Sequence, residues 1–199
     1  MSVPPSARTR LLLAGRPAVV FGGASEAVPL AERDGALLAW LALEGATARS
    51  RLALLLWPDS GLAAARNSLR QRLFKLRRQF GTDLVDGDDT LTLAPGVVHD
   101  LAPGEGVLGA QPVRIGGEFG QWLEAQRERR RGRARSALEA QADAAERSRD
   151  WAAALSHAHE LLALEPLSEA AHRRAMRLHY LAGDRAAALL AFDRCERVL

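Results

Sequence analysis

The sequence predicts a chain in two parts, an α+β first half and an all-α second half. Three observations carry this. Short apolar runs broken by glycine and proline open the chain, as strands and tight turns require. Three helical periods and a further pair of short apolar runs follow them. From Glu118 onward the pattern is helical to the end, and it contains a recurring motif.

At 199 residues the chain suits one large domain or two small ones. It is 48% hydrophobic, enough to bury a core, and 26% charged, ordinary for a soluble protein. A net charge of +3 does not mark a nucleic-acid binder, so the distribution of charge has to decide. Cys195 is the one cysteine and cannot form an internal disulfide; it reads as a small apolar residue in a reducing compartment. The run RLLLAGRPAVV is shorter than the ~18 residues of a membrane span and lacks the layout of a signal peptide. A soluble, cytoplasmic protein is expected.

The elements follow in order. Residues 1–9 form a polar, proline-containing tail. Residues 10–14 and 17–21 flank Gly15-Arg16 and read as a hairpin, with a further short strand at 26–30. In ALLAWLALEG, Leu37, Leu38, Trp40 and Leu41 lie on a helix that ends at Gly45. Ser50 is the expected N-cap of the next helix, RLALLLWP, and Pro58 its stop. A third, longer helix runs over Leu62–Phe80 and closes at Gly81. Leu84-Val85 and Thr90–Leu93 then read as strands around an acidic turn at 86–89. Residues 101–117, rich in glycine and proline, read as a linker between a domain at 1–100 and a helical domain at 118–199.

The helical half repeats itself. RDWAAAL at 149–155 recurs as GDRAAAL at 183–189, a shift of 34 residues that aligns Asp150 with Asp184, Ala153 with Ala187 and Leu155 with Leu189. That period is the tetratricopeptide (TPR) spacing, one pair of antiparallel helices per repeat. Pro166 falls where a breaker is needed, and Ser168 with Glu169 reads as the next helix start.

The stretch ARNSLRQRLFKLRRQFG carries six positive side chains, and no acid occurs between Asp59 and Asp83. At ~100° per residue, Leu69, Leu73, Leu76 and Phe80 share one stripe of the helix, the core face. Opposite lie Asn67, Gln71, Phe74, Lys75 and Arg78; Arg66, Arg70 and Arg77 flank one side, Arg72 and Gln79 the other. The outer face has no acids to relieve its like charges through i,i+4 pairs. It also mixes the side chains that read bases: Asn and Gln for adenine, Arg and Lys for guanine, a phenyl for a thymine methyl. A short helix and turn before a basic helix is helix-turn-helix order, and a hairpin after it makes a winged helix. The candidate base readers are Asn67, Arg70, Gln71, Phe74, Lys75 and Arg78; the candidate phosphate contacts are Arg49, Arg51, Arg66 and Arg77.

These residues carry a resemblance. The segment SRLALLLWPDSGLAAARNSLRQRLFKLRRQFG resembles the OmpR/PhoB-type winged-helix domain of bacterial transcriptional activators typified by actinobacterial antibiotic-pathway regulators. The matching positions are Leu56-Trp57-Pro58, Ala65-Arg66, Leu69-Arg70, Leu73 and Leu76-Arg77. FGQWLEAQRERRR and the segment 161–199 resemble the TPR-like bacterial transcriptional activator domain of the same family. The resemblance implies a transcription factor that places its third helix in the major groove. It further implies a side-by-side homodimer on direct promoter repeats that recruits RNA polymerase. The chain departs from the pattern in its short linker, in the acidic hairpin tip at Asp86, Asp88 and Asp89, and in ending within a helix. An acidic tip is a poor minor-groove probe. Relatives that continue into a sensor or ATPase region lead one to expect a fragment.

Other readings have less behind them. His157, His159, His172 and His179 lack the third-ligand pattern of a metal site. RERRRGRAR holds six arginines that read as a solvated face, with phosphate or interdomain contact as the alternative. FGGAS lacks the third glycine and the acid of a dinucleotide fingerprint, and no nucleophile elbow or Walker motif occurs, so neither enzyme chemistry nor a cofactor is expected. A second functional class stays open: a TPR-type adapter whose basic helix docks an acidic protein.

Overall fold

The structure is a computed structural model that describes residues 9–22, 26–102, 104–109 and 112–198. Residues 1–8 of the expected tail at 1–9 and most of FGGAS lie outside them. The chain divides into two compact units, Met1–Arg130 and Arg131–Leu199.

The first unit opens with the expected hairpin. Strands β1 (Arg10–Leu12) and β2 (Ala18–Val20) pair antiparallel, and β3 (Val28–Pro29) adds to β2. A strand that the sequence reading lacked, β7 (Val98–His99), pairs parallel with β1 and completes the order β3-β2-β1-β7. The Asp100 carboxylate fixes that edge by accepting from the backbone N–H groups of Leu13 and Ala14, at 2.6 and 3.0 Å.

Helix α1 (Glu32–Glu44) begins a turn earlier than its apolar pattern, because Glu32 and Asp34 suit the positive end of the helix dipole. Gly35 is required there: a Cβ would meet Pro17 at 2.7 Å. Helix α2 (Arg49–Leu56) follows strand β4 (Thr47–Ala48) directly. This corrects the assignment of Ser50 as N-cap. Ala48 holds that position without a side-chain cap, because β4 pairs with the strand at Thr90–Leu93 and the Arg49 N–H donates to the Asp89 carbonyl at 2.8 Å. Helix α3 (Leu62–Phe80) has the expected bounds, and Gly81 caps it with φ 67°, a conformation that favours glycine. Strands β5 (Val85–Asp86) and β6 (Thr90–Leu93) form a hairpin, and with β4 they make a three-stranded sheet in the order β4-β6-β5.

The core lies where the helices meet the sheets. Leu11, Val19, Leu38, Leu52, Leu69 and Leu91 are among its fully buried members. Leu69 and Leu76 of the expected stripe are buried, and Leu73 and Phe80 pack against the cluster half-exposed. The stretch read as a linker also belongs to this core, a correction. Leu101, Val107, Leu108 and Ile115 are buried in it, so the described residues of 101–117 form a packed loop rather than a spacer. Its carbonyls explain two arginines read as solvated. Arg127 donates to the carbonyls of Val107, Leu108 and Gly109, at 3.2, 3.4 and 2.7 Å. Arg130, 8% exposed, donates to those of Ala102 and Glu105, at 2.7 and 3.2 Å.

Both arginines sit on α4 (Gly117–Arg147), whose first turns belong to this unit. Phe119 is fully buried, and Trp122 stacks tilted on Trp40 with ring centres 4.7 Å apart. Glu44 accepts from Trp122 Nε1 at 2.7 Å and from Gln126 at 2.9 Å.

The second unit holds the rest of α4 and helices α5 (Trp151–Leu164), α6 (Glu169–Leu181) and α7 (Arg185–Val198). The 34-residue repeat has a physical meaning here. Asp150 caps α5 by accepting from the Ala153 N–H at 3.0 Å, and Asp184 does the same from Ala187 at 2.9 Å ahead of α7. Ser168 caps α6 as expected, accepting from Ala171 at 3.3 Å. The core is small and built on Ala154, Ala158, Ala175 and Leu178, whose short side chains let the helices approach closely. Ion pairs at its rim join Arg174 to Asp143 and Glu146, at 2.5 and 2.8 Å.

Candidate nucleic-acid interface

The sequence of α3 decides which way each side chain faces. With Leu69 and Leu76 turned into the core, the helical period sends the opposite face outward. All six candidate base readers, Asn67, Arg70, Gln71, Phe74, Lys75 and Arg78, are exposed along it. Phe74 is 65% exposed, an uncommon position for a phenyl. Arg70 Nη2 donates to Asn67 Oδ1 at 2.8 Å, so these two already form a hydrogen-bonding pair on the surface.

The four candidate phosphate contacts differ. Among the described residues Arg66 has no ion-pair or hydrogen-bond partner. Arg77 lies 3.4 Å from Asp83, both well exposed, so that pair is weak and easily exchanged. Arg49 is half-buried and its guanidinium donates to the Asp88 carbonyl at 3.2 Å, which ties the tip of the β5–β6 hairpin to the start of α2. Arg51 stands apart: it pairs with Glu118 at 3.0 Å and lies over the Trp40 ring, 5.5 Å from its centre.

Two hollows gather the rest. One, between α3 and the β5–β6 hairpin, has a volume of about 280 Å³ and brings Arg49, Arg70, Phe74 and Arg77 together with Asp83 and Asp88. The other, at the start of α3, brings together Arg49, Arg66, Asn67 and Arg70 beside Asp89. Arg51 lines neither.

Sequence reasoning missed the group that sets the roll of α3. Arg72 Nε donates to Asp34 Oδ1 of α1 in a pair that is 93% buried at the acid, since the Asp34 side chain is only 7% exposed. Burial pushes the Asp34 carboxyl above its ordinary range, against the pull of Arg72 and Lys75. The signal was present: Asp34 shares a helical face with Leu37, Leu38 and Leu41, and an acid on a core stripe needs a cation opposite.

Residues 106–199 match the family described as Bacterial transcriptional activator domain. The match covers all of the second unit and the closing part of the first. It supports the activator family and points to a transcriptional role. No curated protein matches the chain. No helix among the described residues is long and apolar enough to cross a membrane.

Proposed function

We propose that the protein is a sequence-specific DNA-binding transcriptional regulator, an activator, that acts in the cytoplasm on the nucleoid. The first compact unit is a winged helix-turn-helix that places α3 in the major groove. Asn67, Arg70, Gln71, Phe74, Lys75 and Arg78 read base edges, while Arg66 and Arg77 hold phosphates. Arg49 reaches a phosphate by releasing the Asp88 carbonyl, and Arg51 by leaving Glu118. The acidic tip keeps the wing off the minor groove. The second unit serves dimerisation on direct repeats and contact with RNA polymerase.

The observation that carries this reading is the outward face of α3. It holds base-reading side chains from Asn67 to Arg78, with no acid among them. Such a face has no use as a solvated surface, where unrelieved like charge only costs stability. The activator-domain match supports the same reading independently.

A gel shift of the full chain against the DNA upstream of its own coding region, with excess competitor, tests the proposal. A retarded band that survives non-specific competitor is the expected result. Failure to bind any DNA at low salt would favour the adapter reading, for which the exposed Phe74 is the specific observation.

A further inference from the structure

The second unit contains a cavity of about 380 Å³ bounded by α5, α6 and α7. Its floor is apolar: Leu162, Ala175, Ala187 and Ala191. Its polar lining is three histidines and one arginine, of which His172 is engaged by the Pro166 carbonyl, 2.9 Å from its Nε2. His159 and His179 face each other with ring centres 5.5 Å apart, and Arg194 lines the same cavity. No acidic side chain lines it. Among the described residues Arg194 has no carboxylate partner, unlike Arg174 and Arg177 of the same unit, both held by Glu146.

This composition excludes one ligand class and selects another. A metal cation would meet the fixed positive charge of Arg194, and no group of three ligating side chains exists among the described residues. An anion meets a guanidinium and two imidazole N–H donors, and an apolar body meets the alanines and leucine. Burial, His179 and Arg194 together hold the His159 imidazole below its ordinary range, so it serves as a neutral donor near pH 7. Small-molecule sites have this form, mostly apolar with a few convergent polar groups, and run from ~300 to 1,000 Å³.

We propose that this cavity binds a small organic anion, a carboxylate on a short apolar body, with Arg194, His159 and His179 on the carboxylate. The site lies wholly in the second unit and is independent of whether α3 reads DNA.

The test titrates the full chain with sodium octanoate and, separately, with the neutral analogue 1-octanol. Calorimetry gives the affinity, and the imidazole resonances of His159 and His179 report the place. Octanoate is expected to saturate and to shift both resonances, and octanol to bind about tenfold more weakly, the effect of one charge-assisted hydrogen bond. Arg194→Gln should bring octanoate down to the level of octanol. Arg194 is exposed, so this variant keeps its fold, which the helical circular dichroism spectrum checks. Ala191→Leu, which fills the floor, should weaken both ligands. No saturable octanoate binding by ~10 mM, equal binding of the two probes, or an unchanged affinity in Arg194→Gln would each overturn the proposal.

Discussion

Two helices of this protein each carry a cluster of six cations and use them differently. Over α3 six positive side chains lie between Arg66 and Arg78, and on α4 six arginines lie between Arg127 and Arg135. On α4, Arg127 and Arg130 turn to backbone carbonyls of the loop 101–109, and Arg135 pairs with Glu165 at 2.9 Å. On α3, Arg72 alone is taken by the core, through Asp34, and the outward face stays open. Charge count therefore says little about a polyanion surface. What matters is whether carbonyls and carboxylates of the same chain have already claimed the guanidinium groups.

The contrast has consequences of different size. The largest should come from arginines that are claimed. Arg72→Met leaves the Asp34 carboxylate buried without its partner, and a loss of about 3 kcal/mol is expected in urea unfolding. Arg130→Met strips the Ala102 and Glu105 carbonyls of a buried donor, for an expected loss of about 2–3 kcal/mol. Neither change touches the outer face of α3, so a variant that lost DNA binding while its stability stayed constant would contradict the assignment.

Substitutions on the open face should act the other way. Arg70→Ala or Gln71→Ala should cost ~1–3 kcal/mol of binding on the correct site, and surface changes of this kind should move stability by less than about 0.5 kcal/mol. Arg66→Ala should weaken binding to all sequences alike and reduce the log–log salt slope by about 0.9, read by anisotropy across a salt series. An effect confined to one operator sequence would make Arg66 a base reader instead.

The smallest expected effect concerns pH. His159 is held below its ordinary range in the folded chain, so the unfolded chain binds its proton more readily. Stability from this group is full above the ordinary imidazole range and is lost as pH falls through the lowered value. Thermal unfolding of the wild type should drop between neutral and mildly acid pH, and His159→Gln should reduce that drop. An unchanged slope would remove His159 as its cause.

Much of this was legible in the residues. Alternation and turn chemistry placed β1, β2 and the β5–β6 hairpin, and the 3.6-residue period placed α3 with its leucine stripe, because those signals are local. The repeat was legible because Asp150 and Asp184 perform the same capping task 34 residues apart. Strands β4 and β7 were not legible: each is two residues long and exists only through pairing with a distant partner, β6 and β1. The loop 101–117 misled because composition reports turns, and only the burial of Leu101, Val107, Leu108 and Ile115 reports packing. Of the candidate site, the outer face of α3 was readable from angle alone. The partners of Arg49, Arg51 and Arg77 were not, since Asp88, Glu118 and Asp83 reach them only through the fold.

The most direct measurement is the double charge reversal Lys75→Glu with Arg78→Glu, assayed for binding to the chain's own upstream DNA and for urea unfolding side by side. Both side chains are exposed and lack ion-pair partners among the described residues. If α3 reads DNA, specific binding is lost while the chain still unfolds cooperatively, with a midpoint shift no larger than the loss of the Lys75 attraction on Asp34 brings. Binding that survives the reversal intact would contradict the assignment of this face.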